Sequence, residues 1–381
     1  MRRVAVLAVL FGVLLVLGNC APASSTSTPQ VPSSAGADLG EYLLVKLAGS
    51  LGYKQPGWKQ YVPLSFGIAL KRGDLLQVAQ DAEGLIVCSD LSLAPLPSGY
   101  QGGLPCSEAK PVLKRGESLV LSPQRGAATS ASTPYILSPR HTFILTPFPI
   151  LRWAATGSRA APYVVHVWGG DVDWTTKSTQ AELSYPEDGP PLQPGVTYRL
   201  TVTDASGRSS EEEGTALDLG FVLLPPDQRA AVQALLVQAR GLGLDERATH
   251  LMEAGILASY GLRADAIAVL EPLTSSDGAP TVWHRLGDLR REVGLYSEAE
   301  SAYRSAQGGF RSLPALTAGS PGGDKAGEAA ALAGLGLAQR GNSDETAARD
   351  SLRRALQLYQ FVGDSDGAQQ VEKLLTELGG P

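Results

Sequence analysis

The chain has 381 residues and a formal net charge of −6, from 32 Lys and Arg against 38 Asp and Glu. It is 43% apolar and 18% charged, enough material for buried cores and too apolar for wholesale disorder. The acidic balance gives no electrostatic reason to bind nucleic acid, and four His and three Cys exclude a multi-zinc protein or a disulfide-dense mini-scaffold.

Residues 1–19 read as an export signal. Arg2 and Arg3 supply positive charge, and Val4 to Leu17 is an apolar run broken only by Gly12. That run is shorter than the roughly 20 residues that span a bilayer. Leu17-Gly18-Asn19-Cys20 then resembles a bacterial lipobox. The resemblance implies a diacylglyceryl group on the Cys20 thiol and a mature chain beginning there. The alternative is plain secretion. Two acyl chains would anchor the protein firmly, outside the cytoplasm. Residues 20–38 are then a lipid-anchored tether, rich in Ser, Thr, Pro and Ala.

Residues 41–125 are expected to be all-β. Short apolar runs (Tyr42 to Val45, Val62 to Ala69, Leu75 to Val78, Leu85 to Cys88, Leu119 to Leu121) alternate with turn residues. Gly67 to Leu76 reads G-x-x-L-x-x-G-D-x-L, with Gly73-Asp74 as the turn. This segment resembles the FecR-type β-domain, which implies a compact β-fold without catalysis. Cys88 and Cys106 lie here, 18 positions apart. With Cys20 acylated these two thiols remain, and outside the cytoplasm a disulfide is the economical arrangement. Two buried free thiols are the alternative.

Residues 126–134 read as a linker, and 138–222 as a second all-β domain. Tyr163 to Trp168 alternates, and Leu192 to Val202 reads L-x-P-G-x-x-Y-x-L-x-V. The latter run resembles the tyrosine corner of a fibronectin type III-like sandwich. Trp153, Tyr163 and Tyr198 are expected in its core. Trp168 and Trp174 are less constrained, and would be the stacking platforms of a glycan-binding surface.

The period becomes helical from Asp227. Val232, Leu235, Leu236 and Ala239 line one face of a first helix. Ala254, Gly261, Ala266, Leu270 and Leu273 recur 33 positions later as Gly287, Gly294, Ala299, Tyr303 and Ala306. Gly336, Ala348, Leu352 and Ala355 follow Gly287, Ala299, Tyr303 and Ala306 by 49 positions. The third copy lacks a Gly at the helix turn, Gly341 lying two positions early, and Gln307 to Lys325 reads as an inserted long loop. The best copy (Trp283, Leu286, Gly287, Gly294, Tyr296, Ala299, Tyr303, Ala306) resembles the tetratricopeptide repeat of about 34 residues. The resemblance implies an α-solenoid over 227–379, with residues 366–378 as its capping helix. Its groove positions map to Leu251, Gly255 and Ala258, to His284, Asp288 and Arg291, and to Ala333, Leu337 and Arg340. His284, Asp288 and Arg291 are the polar candidates for partner binding.

The search for chemistry yields no catalytic residue. Ser50 in A-G-S-L-G sits before a turn, not a helix, and Ser107 in S-x-x-K is followed at once by Pro111. No phosphate loop and no metal-ligand spacing occurs. The expected architecture is multidomain, with two all-β N-terminal domains followed by an all-α helical repeat. The expected function is a non-enzymatic, cofactor-free, membrane-anchored scaffold for a protein or peptide of the cell envelope. A cell-wall or glycan-binding surface protein is the alternative, and an exported hydrolase has no residue in its favour.

Overall fold

The computed structural model describes residues 42–107, 133–155, 162–212, 220–275, 279–316 and 322–379. The signal and tether readings, Cys20, the 126–132 part of the linker and the run Leu119 to Leu121 lie outside them. A β-rich region over residues 42–223 precedes eight helices.

The first region holds β1 (Tyr42–Ala48), β2 (Leu51–Lys54), β3 (Val62–Pro63), β4 (Ala69–Leu70), β5 (Leu75–Val78), β6 (Glu83–Val87), β7 (Leu93–Leu96) and β8 (Gln101–Gly102). They form two antiparallel sheets, β4-β1-β6-β7 and β3-β2-β5-β8. Leu44, Leu51, Leu70, Leu76, Ile86 and Leu96 fill the space between them. At the Gly73-Asp74 turn, Gly73 is left-handed (φ 97°) and Asp74 Oδ2 accepts from the Lys71 amide at 2.8 Å. The β2 and β7 strands were not expected. Gly52 and Pro95 interrupt their patterns, and both strands form through their partners.

The second region holds β9 (Tyr135–Ser138), β10 (Thr142–Ile144), β11 (Ile150–Ala154), β12 (Tyr163–Gly169), β13 (Val172–Ser178), β14 (Glu182–Ser184), β15 (Thr197–Thr203) and β16 (Phe221–Leu223). A three-stranded sheet, β14-β11-β9, faces a five-stranded one, β10-β16-β15-β12-β13, in which β10 and β16 run parallel. The alternation predicted for β12 and β15 puts Tyr163, Val165, Val167, Tyr198, Leu200 and Val202 inside, around Trp153. The Gln193 amide donates to the Tyr198 hydroxyl at 2.6 Å, which ties the corner before β15.

The helices are α1 (Pro226–Arg240), α2 (Glu246–Ser259), α3 (Arg263–Leu270), α4 (Pro280–Glu292), α5 (Tyr296–Ser312), α6 (Lys325–Gly341), α7 (Glu345–Val362) and α8 (Ser365–Glu377). Three turns within helix pairs share one geometry. Leu262 N donates to Leu257 O, Leu295 N to Arg290 O and Asp344 N to Gln339 O, at 3.0, 2.8 and 2.9 Å. The left-handed residues at these turns are Gly261 (φ 72°), Gly294 (φ 78°) and Ser343 (φ 64°). The third turn therefore keeps the repeat register with a serine in the strained position. Gly341 does something else: it admits the Tyr296 ring.

Every seventh residue of α5 is aromatic and meets a glycine of antiparallel α6: Tyr296 on Gly341, Tyr303 on Gly334, Phe310 on Gly327. A Cβ at any of these glycines would overlap the ring. The predicted loop over Gln307 to Lys325 is shorter than expected for this reason. Phe310 is buried on Gly327, so α5 continues to Ser312. At the far end, α8 buries Val371, Leu374 and Leu375 and leaves Gln369, Gln370, Glu372 and Lys373 exposed, as a capping helix must.

The two β regions are packed onto the helices rather than strung before them. One apolar cluster joins Leu43, Val45, Val87 and Leu91 of the first region, Phe143, Val222 and Leu224 of the second, and residues of α1 to α4. The first sandwich meets the starts of α2, α4 and α6. Arg247 lies over the Phe66 ring at 4.2 Å, Thr281 Oγ1 donates to Phe66 O, and Ala326 joins the sandwich core. The second meets the turns inside the helix pairs. Phe143 N donates to Gly261 O at 3.0 Å, and the fully buried Arg140 donates to Val293 O and Gly294 O at 2.6 and 3.2 Å.

Candidate interaction surfaces

Helix α4 places His284, Asp288 and Arg291 one turn apart on one face. Tyr303 of α5 comes to the same place and donates its hydroxyl to Asp288 Oδ1 at 2.6 Å. Arg291 Nε donates to that hydroxyl at 3.2 Å, and His284 Nδ1 lies 3.2 Å from Asp288 Oδ2. Ring contacts from Tyr303 and Phe310 close over His284.

Burial alone would raise the Asp288 carboxyl. His284, Arg291 and the Tyr303 hydroxyl together hold it below its ordinary value. Burial would likewise lower His284, and Asp288 with the Ala330 backbone raises it instead. The Tyr303 hydroxyl is pushed well up, by burial first and Asp288 second. Such a group is a poor acid or nucleophile at neutral pH. The neighbouring Arg285 is lowered by burial to about 10, with only Asp288 opposing.

These residues therefore sit between α4, α5 and α6 as an internal polar network. Of the three, Asp288 is 5% exposed with its oxygens bonded to neighbours within the stack, whereas His284 and Arg291 keep part of their surface in solvent. Helical spacing identified the face of α4. It did not show that α5 and α6 close over it. Tyr303, read in the sequence only as a position of the repeat, completes the network, and nothing in the sequence ties its hydroxyl to Asp288.

The other groove positions divide. Leu251 and Gly255 are buried, with Leu251 against Gly67 of the first sandwich. Ala258, Ala333, Leu337 and Arg340 keep part of their surface in solvent, and Arg340 pairs with Glu377 of α8 at 3.2 Å. With His284 and Arg291 they are the partly accessible positions of the mapped face.

On the second sandwich the two free tryptophans part company. Trp174 turns toward the core and packs edge-on against Tyr185, ring centroids 4.9 Å apart. Trp168 is on the outward face of β12, with the Arg199 guanidinium 4.9 Å from its ring centroid. Beside it, His166 Nε2 lies 2.8 Å from Asp173 Oδ1.

Cys88 and Cys106 are joined, with Sγ–Sγ 1.94 Å. Ser50 lies in the turn from β1 to β2, after left-handed Gly49, with no helix behind it. Ser107 Oγ is 3.4 Å from Asp90 Oδ2, and Lys110 lies outside the described residues. Among the described residues no three His, Cys, Asp or Glu side chains gather as a metal site. Among them, too, no helix is long and apolar enough to cross a membrane.

No protein-family profile matches the sequence, and no curated protein matches it. Among solved structures the chain is similar to MamA, residues 41 to the end, from Desulfovibrio magneticus RS-1. The identity is 16%, over 40% of this chain and 84% of that one, with a TM-score of 0.27. A MamA RS-1 ArsTM double mutant gives 17% identity over 39% of this chain and 82% of that one, also with a TM-score of 0.27. A likeness of this size carries no argument about fold or role.

Proposed function

We propose that the protein is a non-catalytic scaffold that holds a protein or peptide partner at the cell envelope, moored by lipid on Cys20. The reading takes the helical part as a tetratricopeptide-type stack. It takes the β regions as a FecR-like domain and a fibronectin type III-like sandwich. What supports it most is the turn geometry repeated at Gly261, Gly294 and Ser343, in line with successive antiparallel helices; the same turn joins α7 to α8 at Gly363. Stacked pairs present a continuous face of first helices, a surface suited to an extended or helical segment. The partner face in this reading is Ala258, Ala333, Leu337 and Arg340 with the part-exposed His284 and Arg291, while Asp288 is buried.

The test uses the full chain in its own cells. A partner recovered by in-cell crosslinking at position 333 should be lost in Arg340→Glu and kept in a control such as Arg353→Glu on the outer face of α7. Recovery that is equal in wild type and Arg340→Glu would remove the groove from the proposal. For the anchor, Cys20→Ser should shift the protein out of the detergent phase or leave it unprocessed. A second reading, glycan binding, is favoured by the outward Trp168 beside Arg199. It requires that the chain pellet with cell wall and that Trp168→Ala abolish this.

A further inference from the structure

Asp324 stands at the seam where the first sandwich meets the end of the helix stack. It is fully buried at the start of α6. Its Oδ1 accepts from the amides of Ala326 and Gly327, at 3.0 and 2.9 Å. Its Oδ2 is buried with no donor. The groups around it come from four elements. Tyr53 of β2 and Tyr359 of α7 lie within electrostatic reach of it, their hydroxyls raised chiefly by burial, and the Phe310 carbonyl of α5 holds the Asp324 amide at 2.9 Å. On α6 itself lie Glu328 and Lys325. Glu328 is already bonded by Lys325 Nζ at 3.2 Å and by Arg311 Nε at 2.9 Å, so it holds the nearby cations to itself.

The seam beside it is a direct contact. Ala326 and Val362 pack into the sandwich core near Tyr53 and Trp58, and the Lys59 amide donates to Val362 O at 2.8 Å. A carboxylate with one bare oxygen in such a place costs several times what a solvated one does. The neutral acid loses that penalty, and its O–H becomes a donor.

We propose that Asp324 is a proton-operated latch: protonation tightens the seam between the first sandwich and helices α6 to α8, and ionisation loosens it. The two amide donors favour the charged form. Burial and the Glu328 charge oppose them and prevail, which brings the carboxyl to about 7. The sign follows. Unfolded, the group ionises near 3.8. Between there and about 7 the folded chain binds the extra proton, so the seam is strongest in acid and weakens as pH rises through 7. This inference needs no partner and stands apart from the groove reading.

The experiment is amide hydrogen exchange of the full chain at Lys59, corrected for the intrinsic rate, between pH 6 and 8.5. One proton lost near pH 7 predicts a fall in protection of roughly tenfold. Asp324→Asn keeps the cap and the volume and removes the charge. It should show a flat profile, and Asp324→Ser should do the same if the Asn variant does not fold. His284, raised by Asp288, lies among α4, α5 and α6, so Lys59 does not report it. A flat wild-type profile, or a fall of equal size in Asp324→Asn, would overturn the latch.

Discussion

The Tyr303 ring packs against Gly334, where α5 and α6 approach closely enough that a Cβ at Gly334 would overlap the ring. The same ring touches Gly287 of α4, so one aromatic residue spaces three helices. Gly334→Ala should overpack this contact and cost about 1–3 kcal/mol. Tyr303→Phe keeps the ring but strips Asp288 of its donor, at a cost of about 1–3 kcal/mol. Urea unfolding midpoints of the two variants measure both. A neutral Gly334→Ala would mean that the helices are not in close contact there.

Ser343 adopts the conformation that glycine takes at the two equivalent turns, and an L-residue pays roughly 1 kcal/mol for it. Ser343→Gly should therefore stabilise the protein, by up to about 1 kcal/mol. Gly294→Ala should do the reverse, because its added Cβ would also crowd Arg140 Nη2 at 3.1 Å. Opposite shifts of the thermal midpoint are the expected result.

Arg140 supplies from the second sandwich the donors that the end of α4 lacks. The positive charge also suits the negative end of that helix. Arg140→Met should leave the carbonyls of Val293, Gly294 and Ile136 short of a donor and cost about 2–4 kcal/mol. Because the β regions and helices share one apolar cluster, wild-type unfolding followed at the tryptophans of the second sandwich and by helical circular dichroism should coincide. Two separate transitions would show that the packing between them is weak.

Asp265 provides a second pH signal, at the other seam. Its Oδ2 is buried without a donor, the Leu145 backbone amide opposes the shift, and burial raises the carboxyl to about 6. The folded value lies above the unfolded one, so stability declines as pH rises from about 4 through 6. Asp265→Asn should remove a decline on the order of 2 kcal/mol. Thermal midpoints of wild type and Asp265→Asn between pH 4 and 6.5 decide it, since the Asp324 contribution is common to both and cancels in the comparison.

Reduction of the Cys88–Cys106 bond reopens a loop of 18 positions and should cost about 3 kcal/mol in the chain-entropy account. The loss should appear first in the first sandwich, as faster proteolysis between β6 and β8. Unchanged proteolysis after full reduction would place the stability of this region in its apolar core alone.

Much of the local order was legible in the residues. Alternation gave β12 and β15 their inner faces, and a period of 33 gave the helix pairs. Both signals are short-range: they depend on which side chains one strand or one turn of helix places together. The third turn shows where such reading stops. Residue type points to a glycine there, but the position is defined by backbone conformation, which Ser343 also reaches.

What the sequence determined by itself is the class of each segment: strands before residue 224, helices after it, and the spacing of the repeat. What only the tertiary structure decided is which surfaces remain free. His284, Asp288 and Arg291 lie on one helix face by their spacing, yet whether that face meets solvent depends on Tyr303 and Phe310, brought there by a neighbouring helix. Arg140 finds its carbonyls about 150 positions further along the chain. Burial is a property of several segments at once, so no window on a single segment contains it.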